Sequence, residues 1–221
     1  MFRSFTYGTS IWRNKALALV FTVFAWPLQA QETAVLALGD SLTQGYGLLD
    51  HEGFVAQLRD WLAARGHEVR VVNGGVSGDT TAGGLARVDW SLTPDIKGMI
   101  VALGGNDLLR GLDPAVSRGN IEGILKIARD KGIEVLLVGM QAPGNYGPDY
   151  KAAFDALYPE LAEQYGTLYA ESFFAGIAGR GDITGYMQYD GIHPNAEGVA
   201  LIVEDLGPKV EALIARLAPK G

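Results

Sequence analysis

Ala34-Val35-Leu36-Ala37-Leu38-Gly39-Asp40-Ser41-Leu42 decides how this chain is read. Five apolar residues in a row, closed by glycine and a polar turn, are too few for a buried helix and suit a strand covered on both faces. The same signature returns at Val69 to Val72, Met99 to Leu103 and Val135 to Val138, and more weakly at Leu168 and Tyr169. Between these runs lie longer amphipathic stretches. Phe54, Leu58, Trp61 and Leu62 share one face of a helix predicted over Phe54 to Ala64, and Ile121, Leu125 and Ala128 do so over Ile121 to Ala128. Tyr150 to Tyr165 and Ala196 to Leu217 also read as helices, the last with an expected interruption at Gly207-Pro208. Strand followed by helix, repeated, predicts an α/β fold with a parallel sheet buried on both faces.

The chain has 221 residues, 48% of them apolar, which is enough for one packed core and too few for two ordinary enzyme domains. Residues 1–30 read differently from the rest. Arg3, Arg13 and Lys15 precede an uncharged apolar run from Ala16 to Trp26, and Pro27-Leu28-Gln29-Ala30 follows, the pattern of a secretory signal peptide cut after Ala30. A retained anchor is the competing reading, but the run falls short of the ~20 residues a bilayer core requires. The expected mature domain is then 31–221, periplasmic or secreted, with no stable membrane insertion. It loses three basic residues and no acid, so the formal charge of −7 becomes −10. Such a charge argues against nucleic acid and anionic membrane surfaces as partners. The absence of cysteine rules out disulfides, thiolate metal sites and a cysteine nucleophile.

In a sheet of this kind ligands bind beyond the carboxyl ends of the strands, so the loops there hold the candidate chemistry. They contain Gly39-Asp40-Ser41-Leu42, Asn73-Gly74-Gly75-Val76-Ser77-Gly78-Asp79-Thr80, Gly104-Gly105-Asn106-Asp107 and, before the last helix, Asp190-Gly191-Ile192-His193-Pro194. A serine attacks a carbonyl only if a base takes its proton, commonly a histidine held by a carboxylate. Of three histidines, His51 and His67 fall away from the predicted crevice and read as surface residues. His193 is the candidate base, and Asp190, three residues earlier, is placed by one turn to hold its Nδ1. Ser41 is the candidate nucleophile, although Gly-Asp-Ser is equally a helix-capping turn. Gly78 and Asn106 are candidate oxyanion donors, a close-approaching backbone N–H and a side-chain amide. Asp79, Asp107 and Arg110 read as residues that cap or pair locally. No spacing suits calcium, zinc or a phosphate cradle, so neither metal nor cofactor is expected.

These four blocks, in this order, resemble the SGNH hydrolase superfamily, also called the GDSL family, with Ser41, Gly78, Asn106 and His193 standing where its name places them. Gly104 to Gly111 and Asn145-Tyr146-Gly147 carry a closer likeness to its bacterial periplasmic thioesterase, lysophospholipase and arylesterase members. The resemblance implies a flavodoxin-like three-layer α/β/α sandwich and metal-independent ester hydrolysis through an acyl-enzyme. It also implies an oxyanion hole shared by the Ser41 and Gly78 N–H groups and the Asn106 amide. The implied substrates are small-molecule or lipid esters, including aryl esters and lysophospholipids, with acyl thioesters as an extension. Leu108, Leu109, Leu112 and Tyr146 are the residues it assigns to the substrate, Leu108 to Leu112 as a loop over the acyl chain or simply as the entry to the next helix. The segment Met140 to Gly144 departs from those relatives in its shorter route to Asn145. An acetyl esterase acting on glycans and a non-catalytic binding module remain as alternatives, and the oligomeric state stays open.

Overall fold

The computed structural model describes residues 1–4, 8 and 33–218. The chain divides into two units, Met1–Ala30 and Gln31–Gly221. The expected signal peptide lies outside the described residues apart from 1–4 and 8, and the architecture that follows is that of the second unit.

Its elements run β1 (Ala34–Gly39), α1 (Ser41–Gln44), α2 (Phe54–Ala63), β2 (Arg70–Gly75), α3 (Thr81–Ser91), β3 (Ile96–Ala102), α4 (Gly105–Leu109), α5 (Pro114–Asp130), β4 (Glu134–Val138), α6 (Pro148–Tyr165), β5 (Leu168–Ala170), α7 (Ala175–Ala178) and α8 (Ala196–Leu217). All strand pairs are parallel, in the order β2-β1-β3-β4-β5. Helices α2 and α8 pack together on one face, and α3, α5 and α6 pack in sequence on the other, giving three layers. The chain leaves β1 toward one neighbour, β2, and then passes to the other, β3. That reversal of strand order is the switch point at which an open sheet forms its crevice.

β1 is buried along its whole length, as its unbroken apolar run predicts. Burial on both faces does not extend to every strand. β2 is an edge strand: Arg70 and Asn73 are exposed, and the strand continues through Gly74 and Gly75 beyond the predicted end at Val72. With a partner on one side only, it needs no continuous apolar run. A Cβ on Gly75 would lie 2.2 Å from the Gln44 nitrogen, so the glycine is what lets β2 end against α1.

Helix α8 is continuous where an interruption was expected. Pro208 removes one backbone donor, a loss of about 3 kcal/mol in a free helix, but Val199, Ile202, Val203, Leu206, Val210 and Leu213 are all buried along the same face. Each contributes about 1.5–3 kcal/mol, so the core outweighs the proline. Gly207 serves packing: a Cβ there would come within 2.7 Å of the Trp61 ring of α2. Helix α3 carries little periodicity, with glycines at 83 and 84, and was not legible in the sequence. Among the described residues no helix is long and apolar enough to cross a membrane.

Candidate active site

Asp40 ends the turn after β1, and its carboxylate accepts the Leu42 N–H at 3.0 Å, capping α1. This places Ser41 on the first residue of a short helix at the switch point. From the far end of the chain, the loop before α8 brings His193 to it. Ser41 Oγ lies 2.8 Å from His193 Nε2, and His193 Nδ1 lies 2.6 Å from Asp190 Oδ2. The other oxygen, Asp190 Oδ1, accepts the backbone N–H groups of Ile192 at 2.9 Å and His193 at 3.0 Å. One turn thus holds the carboxylate against the ring. With Nδ1–H donating to Asp190, Nε2 is the free acceptor for the serine proton.

The loop is pinned on both flanks. Gln188 N–H donates to the His193 carbonyl at 2.7 Å, Asn195 N–H donates to the Tyr186 carbonyl at 2.9 Å, and Gln188 Nε2 donates to the Tyr46 carbonyl at 2.8 Å. The Tyr46 ring covers the imidazole at 4.7 Å between centroids. The three Asp190 hydrogen bonds, from the His193 backbone first and then its ring and Ile192, hold the Asp190 carboxyl down at about 2. It therefore stays ionised across the whole range in which histidine changes charge.

Gly78 sits in the loop after β2 with φ of +79°, a backbone state that disfavours any side chain. Its carbonyl accepts Arg110 Nη2 at 2.8 Å. Arg87 pairs with Asp79 at 2.7 Å and donates to the carbonyls of Gly74 at 2.7 Å and Gly39 at 2.8 Å, joining the carboxyl ends of β1 and β2. Neither the Ser41 nor the Gly78 N–H reaches an acceptor among the described residues. Asn106 follows β3 on α4 and donates through Nδ2 to Asp40 Oδ2 at 3.2 Å. Asp79 pairs with Arg87, eight residues on, whereas Asp107 and Arg110 pair across longer distances. Asp107 accepts from Thr81, 26 residues away, and Arg110 reaches Gly78, 32 residues away.

Asp40 is 1% exposed, and burial pushes its carboxyl from 3.8 up to about 6, against the opposing effect of the Leu42 N–H, the Asn106 amide and the facing His193. The folded protein therefore binds this proton more tightly than the unfolded chain does. Stability falls as pH rises from about 4 through 6, and at neutral pH the charged carboxylate costs on the order of 3 kcal/mol.

Ser41, Gly78, Asn106 and His193 line one cleft of about 480 Å³, and Asp190 stands behind the histidine. Leu108 and Leu109 line its wall, joined by Met140 and Phe174. Leu112 and Tyr146 do not. The Tyr146 ring packs on Tyr150 at 4.9 Å and its hydroxyl donates to the Leu109 carbonyl at 3.4 Å, while the Leu112 carbonyl accepts the Tyr150 hydroxyl at 2.9 Å. The Tyr146 and Tyr150 hydroxyls thus hold the 108–112 segment from outside the cleft. Of the other histidines, His51 is exposed, and His67 is half-buried with Nε2 2.7 Å from Glu211.

Residues 37–201 match the GDSL-like lipase/acylhydrolase family. The chain belongs to that family. It is 41% identical to esterase TesA of Pseudomonas aeruginosa over 84% of this chain and 92% of that one. It is 33% identical to thioesterase 1/protease 1/lysophospholipase L1 of Escherichia coli over 92% of this chain and 94% of the other. A crystal structure of TesA superposes with a TM-score of 0.76 at 40% identity, covering 82% of this chain and 99% of that one. The flavodoxin-like sandwich expected from the sequence is thus the fold of this GDSL-like protein. Tyr46, Ser172, Phe174 and Ala178 line the cleft but escaped the sequence reading, while Met140 and Gln141 stand in the segment already singled out there. Ser172 and Phe174 follow β5, a loop that the crevice rule points to, but nothing in an isolated Phe separates a cleft wall from core.

Proposed function

We propose that this member of the GDSL-like family hydrolyses carboxylic esters through an acyl-enzyme on Ser41. The observation that carries this reading is the continuous relay from Ser41 Oγ to His193 Nε2 at 2.8 Å and from His193 Nδ1 to Asp190 at 2.6 Å. His193 takes the serine proton as Oγ bonds to the ester carbonyl, and Asp190 stabilises the imidazolium that forms. The oxyanion is received by the N–H groups of Ser41 and Gly78 and by the Asn106 amide, donors already in place before charge develops. His193 then protonates the departing alcohol. A water activated by the same base releases the acid and restores Ser41.

The apolar wall of Leu108, Leu109, Met140 and Phe174 supports acyl chains longer than acetyl. Relatives named esterase and thioesterase 1/lysophospholipase L1 support aryl esters, lysophospholipids and acyl thioesters as the substrate range. The test is turnover of chromogenic aryl esters of graded acyl length. Hydrolysis of four-carbon and longer chains is expected, and an enzyme inert or confined to acetyl esters overturns the reading. Leu109 is exposed at the cleft wall, so Leu109→Asp should spare acetyl esters and lower kcat/KM on eight-carbon chains about tenfold or more, by desolvating a charge against the acyl group.

The N-terminal segment supports export, with the signal peptide ending at Ala30 and the mature chain acting in the periplasm or outside the cell. Sequencing the mature N-terminus from the producing cell should begin at Gln31. A chain retaining Met1 in the soluble cytoplasmic fraction contradicts it.

A further inference from the structure

Asp40 makes two hydrogen bonds with two different oxygens. Oδ1 accepts the Leu42 N–H at 3.0 Å, and Oδ2 accepts Asn106 Nδ2 at 3.2 Å. A capping turn needs only the first of these, and Ser, Thr or Asn would supply it. The second needs a side chain with an acceptor on each prong, which among the common residues only an ionised carboxylate provides. Gly105 leaves room for it, since a Cβ there would lie 3.3 Å from Asp40 Oδ2. Keeping this charge is unfavourable, because the carboxyl is buried and pushed up to about 6. The groups that face it are the His193 imidazole and the Tyr158 phenol of α6, whose hydroxyl donates to the Leu103 carbonyl at 2.9 Å. Neither offers it a salt bridge. A structural cap gives no reason to keep a desolvated carboxylate here.

A side-chain amide has an oxygen end and a nitrogen end of nearly the same shape. Only the nitrogen end can donate to an oxyanion, and an acceptor-only neighbour forbids the reversed orientation. We propose that Asp40 is a positioning residue that locks the Asn106 amide with its nitrogen toward the oxyanion, acting on the reaction only through Asn106. This rests on the ester-hydrolysis reading above. One amide hydrogen is committed to Asp40 Oδ2, and the second is left for the cleft that Asn106 lines. If Asp40 is protonated or replaced by an amide, a donor faces Asn106, and rotation that presents its oxygen to the carboxyl side turns an oxygen toward the developing charge.

The test is a double-mutant cycle of Asp40→Asn and Asn106→Ala, read as kcat and KM on a chromogenic aryl ester at pH 8. Asp40→Asn keeps the shape and the acceptor for Leu42. It should lower kcat about 10²-fold, the loss typical of one oxyanion donor, and move KM less than about twofold, since the lost interaction belongs to the transition state. Asn106→Ala should lose a similar factor, and the double variant should be no slower than Asn106→Ala alone. The midpoint of thermal unfolding of Asp40→Asn should exceed the wild type's at pH 7, with the gap closing near pH 4, so that activity and stability move in opposite directions. A merely structural role lowers both. Losses that multiply in the double variant, or wild-type kcat in Asp40→Asn, overturn the proposal. A harmless Asn106→Ala overturns it together with the oxyanion role of Asn106, and no ester turnover by the wild type is failure of the functional reading itself. Should Asp40→Asn fail to fold, Asp40→Ser retains a cap but cannot reach Asn106. Its kcat loss should likewise vanish in the Asn106→Ala background, and persistence there counts against the proposal.

Discussion

Replacing Ser41 by alanine is expected to reduce kcat on a chromogenic ester by about 10⁴- to 10⁶-fold, the range found when one member of a serine relay is removed. The loss follows from the geometry: His193 Nε2 has Ser41 Oγ as its partner at 2.8 Å, and alanine leaves the base nothing to deprotonate. Residual turnover over water persists, since the cleft and the oxyanion donors are untouched. Replacing His193 by alanine in the same background should add almost nothing, because the two residues act as a unit. Thermal stability should barely move. Ser41 is half-buried, and its hydroxyl makes one hydrogen bond, to a ring already held by Asp190. Measuring kcat beside the unfolding midpoint separates these expectations. A folded Ser41→Ala protein with more than about 1% of wild-type kcat is incompatible with an acyl-enzyme on this serine.

Asp107→Ala is expected to produce the largest loss of stability of any single change near the site. The Asp107 side chain is fully buried and accepts three hydrogen bonds: the Thr81 N–H at 2.8 Å, Thr81 Oγ1 at 2.6 Å and Ser117 Oγ at 3.1 Å. It thereby ties the start of α3 and the first turn of α5 to α4. Alanine strands a buried backbone donor and two hydroxyls, a cost of about 3–5 kcal/mol. For a domain of this size that lowers the unfolding midpoint on the order of 10 °C. Because Asn106 precedes it on α4, kcat should fall as well, by way of a displaced amide. Urea denaturation of the variant gives the first number and steady-state kinetics the second. An unfolding midpoint within about 2 °C of wild type would falsify the view that Asp107 joins the three helices.

The two residues differ in how far the chain itself announces them. Ser41 and His193 stand in four ordered blocks of unusual composition, each directly after a strand or before a helix. Local pattern is enough to find such residues, because strand ends converge by topology. Asp107 sits in one of the same blocks, yet its partners Thr81 and Ser117 lie on other helices, and no spacing rule connects them. Asp40 is the same case: its cap to Leu42 is local and legible, while its second bond, to Asn106, crosses 66 residues.

By itself, the sequence determined the α/β class and the alternation of strand and helix, through short-range periodicity and turn chemistry, which are properties of neighbouring residues. It singled out Ser41, Gly78, Asn106, Asp190 and His193 as candidates by residue type and loop position, and the ester-hydrolase family by the resemblance of four ordered blocks. Only the tertiary structure decided that β2 is an exposed edge, that α8 runs unbroken through Pro208, and that Leu112 and Tyr146 lie outside the cleft. It alone also placed a buried carboxyl, Asp40, against the Asn106 amide. Each of these depends on which distant surfaces meet, and burial and hydrogen-bond pairing across the fold are set by packing rather than by any one stretch of chain.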